Sequence, residues 1–209
     1  DGRYALATHP NDDGVSVIDL SALQVLPLLR TGPFPNYVVF SADGSAAYVS
    51  NSGNGTVSEI DTARWIVRRN LIAGDSPEHL VLGPDGSSLY VTNVEAGIVS
   101  AVALKEGEVA RTFNIGGELH GLDVSDDGRT LFVSGKGENK LAAVDLASGR
   151  VRSAALGPSP YHLAVIRGTG KIYVSSRDEP KVWVVDQASL AARGTIAIRG
   201  EGHQMVVLP

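Results

Sequence analysis

Apolar residues run in short stretches along this chain, each closed by glycine, proline, aspartate or asparagine. In the segment from residue 36 to 77, NYVVFS (36–41) and AAYVS (46–50) flank an Asp-Gly pair, a tight-turn signal. NSGNG (51–55) then leads to TVSEID (56–61), and a last apolar stretch covers residues 65–72. These four stretches read as strands, here termed A, B, C and D, rich in Val, Ile and Tyr. No helical periodicity is sustained along the chain.

The same order recurs. Asp-Gly stands at residues 1–2, 43–44, 85–86 and 127–128, and Gly168-Thr169 takes its place in a fifth copy. Four strands in every 40-odd residues are the pattern of propeller blades. Strand B carries a repeated tetrapeptide: Tyr48–Asn51 (YVSN), Tyr90–Asn93 (YVTN), Phe132–Gly135 (FVSG) and Tyr173–Ser176 (YVSS). Strand C ends on Asp19, Asp61, Asp145 and Asp186 in four of the five copies. In these features the chain resembles the YVTN family of β-propeller repeats, and the resemblance runs over its whole length. It implies an all-β propeller, and the repeats, starting near 1, 43, 85, 127 and 168, supply five four-stranded blades in one domain, 1–209. In that arrangement residues 203–207 supply the strand A missing from the first blade and pair with residues 3–8, which removes two exposed strand edges. The resemblance says little about function, because a fold of this kind hosts many.

Composition narrows the classes. Eighteen Lys and Arg against 23 Asp and Glu give a net charge of −5, which argues against nucleic acid as the partner. No apolar run is long enough for a membrane-spanning helix. The absence of cysteine excludes disulfides, thiolate metal sites and cysteine catalysis. With the family resemblance and a first residue other than Met, it points to a periplasmic or extracellular protein.

Most repeated residues have structural roles. Tyr48, Tyr90, Phe132 and Tyr173 share one strand position and are expected to pack between blades, and Trp65 and Trp183 are read as packing residues. The Asp closing strand C is expected to bind the backbone that follows it, and Asp12, Asp13, Asp126 and Asp127 read as solvated turn residues. The histidines depart from this pattern. His79, His120, His162 and His203 all open a strand A, and His9 ends a strand B where other copies carry Asn51 and Asn93.

Two adjacent positions at the start of strand A, the innermost strand of a blade, would rim the central channel. The first holds Asn36, Glu78, His120, Tyr161 and His203. The second holds Tyr37, His79, Gly121, His162 and Gln204. Strand alternation puts the two positions on opposite sides, so only two or three histidines are expected to converge. A hydrated polar rim would account for these residues without a ligand. The functional reading is a scaffold that binds a small molecule or a protein through Asn36, Tyr37, Glu78, Tyr161, Gln204 and Arg177. Its alternative is a copper or zinc site drawn from His79, His120, His162 and His203, with His9 as an outlying candidate, since neutral imidazole suits both metals. Resemblance to propeller lactonases and lyases adds an enzyme with His, Glu or Tyr as general acid or base. Lys136, Glu138, Asp178, Glu179, Glu118 and Glu201 surround the rim with charges of both signs.

Overall fold

The Asp-Gly turns show how the repeat builds its strands. Gly44 takes a left-handed φ of 71°, which a side chain would resist. The carboxylate of Asp43 accepts the hydroxyl of Ser41 and both the amide and hydroxyl of Ser45. The Ser41 hydroxyl above all, then the Ser45 amide, pull the Asp43 pKa down to about 2. Asp85 and Asp127 hold their turns in the same way, through Ser87 and through Ser125 with the Arg129 amide. The Asp closing strand C acts as expected: Asp61 accepts the amides of Ala63 and Arg64, and Asp186 those of Ser189 and its hydroxyl.

The computed structural model describes residues 2–207. Asp1, in the first Asp-Gly pair, lies outside the described residues, as does the end of the last repeat at Leu208 and Pro209. The described residues form twenty strands in five antiparallel sheets of four, the blade unit of a β-propeller. The first sheet holds β1 (Tyr4–His9), β2 (Gly14–Asp19), β3 (Gln24–Val25) and β4 (Leu29–Arg30). β3 and β4 both pair with β2, as two halves of an outer strand that Pro27 interrupts for want of an amide proton. The second sheet runs β5 (Pro35–Phe40), β6 (Ala46–Asn51), β7 (Thr56–Asp61) and β8 (Ile66–Ile72). The third runs β9 (Pro77–Leu82), β10 (Ser88–Asn93), β11 (Ile98–Ala103) and β12 (Glu108–Asn114). The fourth runs β13 (Leu119–Val124), β14 (Thr130–Gly135), β15 (Lys140–Asp145) and β16 (Val151–Ala155). The fifth runs β17 (Pro160–Ile166), β18 (Lys171–Ser176), β19 (Lys181–Asp186) and β20 (Ala192–Ala197).

The chain divides into two compact units. Unit 1 holds Asp1–Asn93 and Ser100–Thr112; unit 2 holds Val94–Val99 and Phe113–Pro209. In unit 1, Val15, Ala47, Val49 and Ile60 form one buried cluster, and Tyr48, Leu71, Leu80, Leu89 and Val91 belong to another. In unit 2, Phe132, Leu141, Leu163, Ile172, Trp183 and Leu190 belong to a single cluster between the fourth and fifth sheets. Tyr48 and Phe132 thus pack between blades, as their shared strand position implies.

Residues 201–207 carry no strand, so the closing strand expected over 203–207 is not formed. The repeat count places a strand there, but a strand is made by ladder pairing, and residues 201–207 join none of the described sheets.

Candidate functional site

Each strand A is interrupted where the candidate residues lie. Pro35 faces Asn51 and Val38 faces Val49, so Asn36 and Tyr37 together oppose Ser50. By the same count Glu78 and His79 oppose Thr92, His120 and Gly121 oppose Ser134, and Tyr161 and His162 oppose Ser175. Four strands carry the same two-against-one β-bulge, a device that re-aims side chains.

The third residue of the YVTN-like tetrapeptide brackets the bulge. The amides of Tyr37, His79 and His162 donate to the hydroxyl oxygens of Ser50, Thr92 and Ser175 at 3.0, 3.1 and 3.1 Å. The same hydroxyl position reaches the next blade. Thr8 donates to the Asn36 carbonyl at 3.0 Å, Ser50 to that of Glu78, and Ser134 to that of Tyr161. The acceptor is each time the first bulged residue. Gly121 is required by close approach, because a Cβ there would meet the Tyr161 carbonyl oxygen at 2.9 Å and the His162 Cα at 3.0 Å.

The bulge also overturns the alternation argument. Adjacent bulged residues are not forced to opposite sides, and the rings of Tyr161 and His162 meet edge to face at 5.1 Å. In unit 2 they join a cluster. The His120 ring stacks on Tyr161 at 3.5 Å with 15° between planes, and meets His162 at 4.8 Å and 87°. His203 lies 5.2 Å from His162 and 5.3 Å from Tyr161. His120 and His162 are 4 % and 5 % exposed, Tyr161 is half-buried, and His203 is exposed. One ring nitrogen of His120 lies within 4.8 Å of one of His162. Burial first, then the neighbouring His203, pushes the His162 pKa down to about 4, so its imidazole is neutral at physiological pH.

Arg177 borders the cluster, its guanidinium 5.2 Å over the Tyr161 ring and 3.4 Å from Glu201. Lys136 pairs with Glu118 at 2.6 Å, and Lys181 with Glu179. The charged loops are thus locally neutralised and form no track of one sign. Gln204 does not join the cluster; it lines a separate hollow with Ala164, Ile166 and Tyr173.

Unit 1 holds the other candidates. His79 is buried, with its ring 4.7 Å from that of Tyr37. Glu78 occupies the bulge beside His79. The Asn36 side-chain amide donates to the Ser52 hydroxyl at 2.9 Å. His9 is engaged within its own hairpin, with Nε2 2.8 Å from the Ser16 hydroxyl oxygen. Sequence reasoning missed the bracketing hydroxyls, although their signal was present: Thr8, Ser50, Thr92, Ser134 and Ser175 recur at one position of strand B. Among the described residues no helix is long and apolar enough to cross a membrane.

The model of the YNCE-like β-propeller family matches residues 15–195. No curated protein sequence matches the chain. Among solved structures, hydrazine synthase of Kuenenia stuttgartiensis is similar with a TM-score of 0.82 at 23 % identity, over 90 % of this chain. This chain spans 62 % of the length of that one. In all, 1410 solved chains match, so the likeness concerns a widespread fold.

Proposed function

The chain belongs to the YNCE-like β-propeller family, and we propose that on this scaffold it binds a copper or zinc ion through His120 and His162, with His203 as the exposed third ligand. The observation that carries this reading is the buried His120–His162 pair, whose ring nitrogens approach within 4.8 Å. Metal–imidazole bonds of about 2.0–2.1 Å require the two nitrogens to draw together on one ion. Burial favours neutral imidazole, the form that ligates. Copper and zinc both suit nitrogen donors, and no thiolate is present to select otherwise. Arg177 and Tyr161 support a second reading, in which the exposed edge of the cluster binds a small molecule or a protein.

The test is equilibrium binding of Cu(II) and Zn(II) to chelator-treated protein, against a competing chelator of known affinity. One equivalent should bind, and His120→Gln/His162→Gln should weaken it on the order of 100-fold or more. His9→Ala should bind as the unsubstituted protein does. Equal affinity in the double variant, with its fold verified by circular dichroism, would rule the site out.

A further inference from the structure

Unit 1 holds a cavity of about 400 Å³ where the turns of the second sheet meet the start of β1. That volume lies within the usual range of small-molecule sites, about 300–1,000 Å³. Tyr4, Phe40 and Trp65 supply its aromatic surface, and Ser41, Asp43 and Thr62 its polar side chains. The rings of Tyr4 and Trp65 are 5.0 Å apart and inclined at 70°, so they form two walls of a corner. Phe40 is 41 % exposed at the cavity.

The chemistry of the walls selects the ligand. The Ser41 hydroxyl is committed to Asp43 at 2.6 Å, and the Thr62 hydroxyl to the Gly44 carbonyl at 2.6 Å. Neither hydroxyl proton is left to hold an anion. Beside the backbone of Gly2, Ala42, Gly44 and Ala63, the walls offer π-surface and one carboxylate, which its serine partners keep ionised. Aromatic faces with a nearby anion are the recognition chemistry of alkylated ammonium ions. Tyr4 already receives a cation in this structure, since the Arg3 guanidinium lies 4.9 Å over its ring.

The turn between strands C and D fixes where Trp65 stands. Trp65 has a φ of 54° at the turn between strands C and D, a conformation that resists a bulky side chain. Gly107 and Gly149 hold the same turn position in the third and fourth sheets. Leu23 and Leu190 hold it in the first and last; Leu190 is buried in the core of unit 2, and Leu23 is exposed. Trp65 instead combines partial burial against the unit 1 core with a place in the cavity wall. The left-handed φ belongs to the repeat turn in all five sheets, and what sets Trp65 apart is its place in the cavity wall.

We propose that the Tyr4–Phe40–Trp65 cavity binds a small alkylated ammonium cation of the choline class, with Asp43 as its counter-charge. The site is independent of the histidine cluster. The chain has two tryptophans, and Trp183 is 4 % exposed in the unit 2 core, so a ligand-dependent change in fluorescence reports Trp65. Titration with choline should give a saturable change, at least tenfold tighter than that for 3,3-dimethylbutan-1-ol, its neutral isostere. Asp43→Asn and Tyr4→Leu should each weaken choline at least tenfold. No saturation, equal response to the neutral isostere, or unchanged affinity in both variants would each overturn the proposal.

Discussion

Acidifying the metal-free protein from neutral pH toward pH 4 should cost it about 2–3 kcal/mol of folding stability through His162 alone. In the folded chain this imidazole is buried, and its pKa is pushed down to about 4. In the unfolded chain it takes up a proton near the ordinary histidine value of about 6.5. Below that value the unfolded state binds the proton that the folded state refuses. The contribution is therefore fully present above about pH 6.5 and is lost as pH falls toward 4. The full shift corresponds to about 3 kcal/mol, and partial hydration on the side of exposed His203 lowers the figure somewhat. Urea denaturation at neutral pH and near pH 4.5 would measure the loss. His162→Gln should remove most of this dependence, and an unchanged pH slope in that variant would show that other groups cause it.

Phe132→Ala should cost about 3–5 kcal/mol, the usual penalty for emptying a buried aromatic site. Phe132 is 1 % exposed and packs in the cluster that includes Leu141, Leu163, Trp183 and Leu190. It occupies the first position of the YVTN-like tetrapeptide, so the experiment separates the structural part of that motif from the binding part. The loss should appear in the denaturation midpoint while metal affinity of the folded fraction stays within about twofold. A cost below about 1 kcal/mol would mean that Phe132 does not anchor the packing of the fourth sheet on the fifth.

Blade boundaries were legible because they rest on local chemistry. An Asp-Gly turn, a strand-ending Asp and a tetrapeptide in register are each decided within a few residues, and the strands formed where they placed them. Pairing between distant segments was less legible. The repeat count places a strand over residues 203–207, yet a count states nothing about whether its ladder forms. That first-position His120 and Tyr161 meet second-position His162 was misjudged, because alternation holds only for an unbroken strand. The bulge adds one residue and cancels the rule where the functional side chains sit. Its signature, Ser or Thr opposite the bulged pair, becomes readable once the hydroxyl is seen to accept the amide of the second residue. Gly121 behaves similarly: its reason lies in the neighbouring strand β17, far along the chain.

The central claim is that unit 2 presents imidazole nitrogens to a copper or zinc ion. X-ray absorption at the metal edge, on protein loaded with one equivalent, tests it most directly. At least two imidazole ligands at about 2.0–2.1 Å are expected, with the outer-shell scattering of the ring carbons, and His120→Gln/His162→Gln should lose that signature. A first shell of oxygen alone, or an imidazole signal unchanged in the double variant, would contradict the account.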